Sequence, residues 1–304
     1  MSAKRRILLP SIVGITASSA AGSIGTIDMP LGLRYHSIEL VYIDGGASPA
    51  DITATFGDIV IYRNTKQQRI HTAAELDHLN SLNQSIGLNT FNRNQVNTGA
   101  SMRQSLVCYF AEPWRKDKVD TDLLAWNVDK SWGWTSFQLK ITLIGAIPAT
   151  GSVVAYAVVD NVIPVDNINN GVQPIVKVYR QQIPASGTGI DITTLDARDA
   201  YQVIALKNPS TTGYISKAAL KINSVYYLEN VVREDNVGGL IGLEMNPANS
   251  TTTGAFGYDI VLDSDDPVAS ALPSTGANIW LHLDFNTAAA GNVVALIARL
   301  GQFD

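Results

Sequence analysis

Charge is scarce in this sequence. Of its 304 residues only 16% are Asp, Glu, Lys or Arg, against 46% that are hydrophobic. That balance excludes a disordered chain and fits a folded one whose quiet surface can be buried against copies of itself. The net charge is −5, so no global positive field draws in nucleic acid, and no specific nucleic-acid sequence is expected as a partner. Cysteine is rarer still. Cys108 stands alone in the apolar stretch Leu106-Val-Cys-Tyr-Phe110, which excludes an intramolecular disulfide and a zinc cluster and fits cytoplasmic synthesis. The four histidines, His36, His71, His78 and His282, form neither a His-x-His nor a His-Glu-x-x-His pattern, so a cupin-type or zincin-type metal site has no support. There is no Gly-x-Ser-x-Gly elbow and no phosphate-binding glycine loop. No apolar run reaches the roughly 18 residues of a membrane helix. A glycosidase would need two carboxylates converging in a groove, which spacing alone does not provide. The chain therefore reads as a non-enzyme.

What is present is a repeat. Phe137-Gln-Leu139-Lys-Ile141-Thr-Leu143 is followed by Gly151-Ser-Val-Val-Ala, and Ile279-Trp-Leu281-His-Leu283-Asp-Phe285 by Gly291-Asn-Val-Val-Ala, at offsets of 142 and 140. Further back, the segment around Tyr35 aligns with that around Tyr201, and Asp58–Asn64 with Asn223–Asn230. Tyr35 to Gly151 spans 116 residues and Tyr201 to Gly291 only 90, so the second copy is shorter by 26. A period this long is a duplication of whole domains, not a solenoid.

Both copies carry strand signals. Phe137, Leu139, Ile141 and Leu143 share one face of a strand while Gln138, Lys140 and Thr142 share the other, which places one face in a core. Ile52–Arg63 reads as one or two strands, and residues 87–104, rich in Asn, as a long exposed loop. Thr72-Ala-Ala-Glu75 has the form of a capping box, and Leu76, Leu79 and Ile86 continue at helical spacing, so a short helix is expected over 72–86. The corresponding stretch of the second copy, Val231–Gly239, is too rich in glycine for a good helix. Strands every 8–15 residues mean sandwiches or barrels, and each copy offers the roughly eight strands of a jelly roll. The expected fold is all-β: two jelly-roll barrels in tandem with a short helix in the first. The expected divisions are an N-terminal arm over 1–26, a first barrel over 27–160, a linker over 161–174 and a second barrel over 175–304. Residues 1–26 imitate a secretory signal, but Pro10 and Ser11 break the apolar run, and an extended arm docking on a neighbour is the preferred reading.

Candidate sites are few. Asp263, Asp265 and Asp266, like Asp117, Asp120 and Asp122, could supply oxygen ligands for calcium, although neither group has EF-hand spacing. Solvated turn carboxylates explain both more simply. Trp132 and Trp134 would share one side of a regular strand and could stack a sugar, but core or inter-subunit packing is the commoner use of large aromatics. Lys4, Arg5 and Arg6 form the one basic cluster.

The order of segments resembles the major capsid protein of corticovirus-like phages, which are tailless, icosahedral and membrane-containing. The resemblance rests on Met29-Pro-Leu-Gly-Leu-Arg-Tyr-His-Ser-Ile-Glu-Leu-Val-Tyr42, on Ile59-Val-Ile-Tyr62 with the helix after it, on Val107-Cys-Tyr-Phe-Ala-Glu-Pro-Trp114 with Val119-Asp-Thr-Asp-Leu-Leu124, and on Ile183-Pro, Ile190-Asp-Ile192, Ile279–Phe285 and Val293–Leu300. It covers most of the chain from about residue 27. It implies a double jelly roll, a homotrimer shaped as a pseudo-hexagonal tile, and an icosahedral shell over a lipid vesicle. It also implies location in the virion and contacts with neighbouring capsomers, with other virion proteins such as a vertex protein, and with the underlying membrane. No cofactor is expected, although calcium can support such a coat. Trp114, Trp126, Trp132 and Trp134 are the candidate interface anchors, and Lys4, Arg5 and Arg6 are candidates to face lipid headgroups or genome. The alternative is a two-domain, sandwich-type carbohydrate- or receptor-binding protein.

Overall fold

The computed structural model describes residues 3–45, 50–82, 94–97, 102–115, 118–164, 173–262, 272–273 and 276–303. Their contacts divide them into two compact units. The first takes the described residues up to Asn80, those from Asn94 to Val176, and Gln302 and Phe303; the second takes Ser81, Leu82 and Lys177–Gly301.

In the first unit the strands are β1 (Arg5–Leu8), β2 (Ile24–Asp28), β3 (Leu33–Asp44), β4 (Phe56–Arg63), β5 (Lys66–Thr72), β6 (Asn94–Asn97), β7 (Met102–Tyr109), β8 (Trp126–Val128), β9 (Phe137–Leu143) and β10 (Ser152–Asp160). Helices α1 (Ile52–Thr55), α2 (Ala73–Leu82) and α3 (Lys118–Leu123) interrupt them. One sheet runs β1-β10-β3-β7-β6, with β8 pairing the start of β3; the other contains β5-β4-β9-β2. β9 alternates buried and half-buried residues along its whole length, as its period of two requires. The core between the sheets holds Tyr35, Ile38, Phe56, Ile59, Phe110, Trp126, Trp134, Phe137 and Leu139.

The second unit has β11 (Ile175–Ile192), β12 (Ala200–Lys207), β13 (Ile215–Ile222), β14 (Val225–Val232), helix α4 (Arg233–Gly242), β15 (Phe256–Val261), β16 (Leu272–Pro273) and β17 (Ile279–Gly301). β17 pairs along both of its halves: Ile279–Phe285 with β13, and Val294–Leu300 with β12. Its two halves are the counterparts of β9 and β10.

The duplication holds down to single bonds. Tyr35 donates its hydroxyl hydrogen to the Pro30 carbonyl at 2.8 Å, and Tyr201 to the Asp196 carbonyl at 2.7 Å, each five residues upstream. The β4–β5 turn has Asn64 and Thr65 at φ 49° and 72°; the β13–β14 turn has Asn223 and Ser224 at 49° and 70°. Two successive positive φ values are what a tight hairpin turn needs, and Asn tolerates them best. Each Asn side chain then accepts a bond from the backbone leading into β9 or β17, from Thr135 at 2.7 Å and Asn278 at 2.9 Å. Asn64 therefore matches Asn223. Aligning Asp58–Asn64 with Asn223–Asn230 puts the copies one strand out of step, because two apolar strands flanking a polar turn look alike.

Other expectations are corrected. Residues 5–8 and 24–28 are strands of the first unit, and Leu9 and Ile15 are buried in its core, so the N-terminal segment is not an arm reaching for a neighbour. Ile52–Thr55 is a helical turn capped by Asp51, not a strand. Part of the expected 87–104 loop is sheet, since β6 pairs with β7 and β7 begins at Met102. The glycine-rich stretch after β14 does form a helix. Its first turn carries Glu234 and Asp235, favourable at that end of a helix dipole, Leu240 is buried, and Asn236 bonds the Asp259 carbonyl at 2.7 Å. Packing there outweighs the cost of Gly238 and Gly239. The capping box on α2 is present in both directions: Thr72 N–H to Glu75 at 2.8 Å and Glu75 N–H to Thr72 at 3.1 Å. α2 is described only to Leu82.

Candidate functional site

The basic cluster sits on the edge of the first unit, partly neutralised. Lys4 Nζ lies 2.6 Å from Asp122 Oδ1. Arg6 donates twice to Glu39 Oε2, at 2.7 and 3.1 Å, and lies 3.7 Å above the Tyr156 ring. Arg5, paired in β1 with Val159, is exposed. Asp122 also faces buried His36, whose Nδ1 is 3.2 Å from Asp122 and whose Nε2 is 3.3 Å from Asp160. Arg34 reaches Asp160 at 3.8 Å and donates to the Asp122 carbonyl. Burial holds the His36 pKa below its ordinary value, although both carboxylates pull it upward.

The tryptophans separate into two classes. Trp126 and Trp134 are 0% and 1% exposed and pack with Phe110, Phe137 and Phe303. Both belong to the core and cannot anchor an interface. Trp132 and Trp134 form no sugar platform either, because Lys130–Trp132 is a 3-10 turn ended by Gly133 at φ 75°, which sends Trp134 inward. Trp132 is half-buried and donates its indole N–H to the Ile163 carbonyl at 2.9 Å. Trp114 is half-buried, edge-on to Tyr109.

One buried constellation looks chemical. Cys108 Sγ lies 3.9 Å from His71 Nε2, and Arg69 Nη1 lies 3.8 Å from the sulfur. Burial pushes the thiol up and the imidazole down to about 4, so both are neutral, the reverse of an activated thiolate pair. Arg69 instead braces the core: it donates to the Val176 carbonyl at 2.7 Å and the Tyr109 carbonyl at 2.6 Å, and lies over Phe110 and Trp126. His282, by contrast, sits at the surface between Asp191 at 2.7 Å and Asp284 at 3.1 Å. Partial burial opposes its charge, but the two carboxylates prevail and raise its pKa. Asp263, Asp265, Asp266 and Asp117 lie outside the described residues. Among the described residues no three His, Cys, Asp or Glu side chains form a metal-binding group.

Sequence reasoning missed the exposed apolar edges. Leu8, Val13 and Ile24 are 47–73% exposed along the edges of the first unit, and Ile144, just past the interior strand β9, is 58% exposed. Val225, Tyr226 and Tyr227 are 46–56% exposed on β14, an edge strand of the second. A continuous Val-Tyr-Tyr-Leu run reads as core, and only its edge position reveals otherwise. Apolar side chains on open edges are what a protein presents when another chain is to cover them.

A sequence comparison with curated proteins finds no match. The family model of the viral coat protein P2 N-terminal domain matches residues 9–160, half of the chain. Among solved structures the chain is similar to the major capsid protein P2 from bacteriophage PM2, with a TM-score of 0.73 at 15% identity over 99% of this chain and 98% of that one. A chain of Sulfolobus Turreted Icosahedral Virus gives 0.62 at 14%, over 98% and 90%. The Faustovirus major capsid protein gives 0.61 at 8%, over 100% and 91%. Identities this low show a shared fold, the double jelly roll, with both barrels included. The family match adds the sequence of the first barrel from β2 to β10. The chain therefore belongs to the viral coat protein P2 family.

Proposed function

We propose that this coat protein works as a homotrimer, a pseudo-hexagonal capsomer that tiles an icosahedral virion shell over an internal membrane. The observation that carries the reading is the duplication of the barrel, which extends to the Tyr35 and Tyr201 bonds and to the Asn64 and Asn223 turns. Two similar barrels per chain let a threefold ring present six similar faces, so a trimer can occupy a hexagonal lattice. Closure needs heterologous contacts, one barrel of a chain against the other barrel of the next. The exposed apolar side chains of the first unit, Leu8, Val13, Ile24 and Ile144, with Trp114 and Trp132, are the surfaces we assign to those contacts and to neighbouring capsomers. Arg5, with the ion-paired Lys4 and Arg6, is assigned to anionic lipid headgroups or genome on the inner side, and a vertex protein would close the shell. The test is light scattering on the purified protein. A mass near 98 kDa, three chains of 32.6 kDa, with a hexagonal outline in negative stain is the expected result. A stable monomer overturns it.

A further inference from the structure

The second unit carries a polar cavity of about 260 Å³ on its outer sheet face, lined by Thr193, Lys221, Ser224, Tyr226, Asn278 and Trp280. The strand register assembles it. Lys221 on β13 is paired with Tyr226 on one side and Trp280 on the other, so the three form a row across neighbouring strands. The two rings meet edge to face at 6.3 Å, and Lys221 Nζ lies 5.0 Å from the Tyr226 ring. The indole is held in place: His282, two residues along β17, stacks parallel to it at 5.5 Å and 13°. Asn278, two residues the other way, lines the cavity. The turn beneath is tied to the start of β17, because Asn223 and Asn278 exchange hydrogen bonds at 2.9 and 3.0 Å. The fold does not demand this arrangement. In the first unit the counterpart of Trp280 is Gln138, which bonds Asp28.

We propose that this cavity binds one carboxylate-bearing sugar ring, a uronic acid unit of a polysaccharide. A pyranose presents a C–H face that stacks on an aromatic ring, and hydroxyls that need paired donors and acceptors. Trp280 and Tyr226 supply the rings, and Asn278, Ser224 and Thr193 the polar partners. No carboxylate lines the cavity, and Lys221, its Nζ held over the Tyr226 ring, is the one cation in the lining. That selects an acidic sugar over a neutral one. The polar lining also differs from the apolar centre expected of a contact with a second copy. The inference does not depend on trimer formation.

The experiment is a titration of the full chain with D-glucuronate and with D-glucose, followed by saturation-transfer NMR and tryptophan fluorescence. Saturable binding of glucuronate, weaker binding of glucose, and at least about tenfold loss of glucuronate affinity in Lys221→Gln are expected, from one lost charge-assisted hydrogen bond. Trp280→Ala should abolish binding and Trp280→Phe retain part of it, with melting temperatures showing that each variant is folded. No saturable response to either sugar overturns the proposal. So does glucuronate binding that Lys221→Gln leaves unchanged. Loss of self-association in Trp280→Ala without any sugar response would assign the surface to a second copy instead, and overturns it too.

Discussion

Replacing Tyr35 and Tyr201 by Phe tests the duplication with the same chemistry in both units. Each ring is buried, and each hydroxyl donates to a carbonyl five residues upstream. Burial raises both phenol pKa values far above the ordinary range, so the O–H stays a donor at any working pH. Phe keeps the ring and opens no large cavity, which leaves the hydrogen bond as the main loss. A neutral bond is worth about 1 kcal/mol net, and the orphaned carbonyl can bring the cost to about 2 kcal/mol. For units of about 150 residues this lowers the melting temperature by roughly 2–8 °C. The residues lie in separate cores, so the double variant should equal the sum of the singles within about 0.5 kcal/mol. Calorimetry and urea denaturation measure both quantities. A loss below about 0.3 kcal/mol in either single variant, or a double variant no worse than one single, would refute the reasoning.

Trp126→Ala and Trp134→Ala should each destabilise the fold by about 3–5 kcal/mol in urea denaturation, as core truncations do, whereas Trp114→Ala should lower stability far less and act on trimer formation instead. Acid should weaken the first unit through His71: its folded pKa, about 4, lies below the unfolded 6.5, so its contribution is complete above 6.5 and lost as pH falls through 4. His71→Asn should flatten the stability profile over that window. His282 has the opposite sign, because its pKa is raised, and its contribution is lost as pH rises through the folded value. Thr72→Ala should cost α2 about 1 kcal/mol, with faster amide exchange at Glu75.

Local pattern carried much of the fold. Alternation at 137–143, the capping box at 72–75 and the matching Gly151 and Gly291 segments all follow from rules that act within a few residues. What escaped depends on distant partners. Arg5–Leu8 looks like an arm until Val159–Tyr156 is placed beside it. Val225–Leu228 looks like core until β14 is placed at the end of its sheet. Trp126 and Trp134 are plain in the sequence as large aromatics, yet whether they face inward or outward is decided by the turn at Gly133 and by Phe303, far along the chain. The cavity at Trp280 was missed for the same reason: Lys221, Tyr226 and Trp280 become neighbours only through the register of three strands.

Phe303 has a consequence for how the chain acquires its shape. Its ring lies 5.1 Å from Trp126 and 4.9 Å from Trp134, inside the first unit, yet it follows every residue of the second. Domains generally fold in order of synthesis, the earlier one first. Here Phe303 is made only just after the last strand of the later barrel, which ends at Gly301, so on a ribosome the aromatic centre of the first barrel lacks one wall until nearly all of the second has been made.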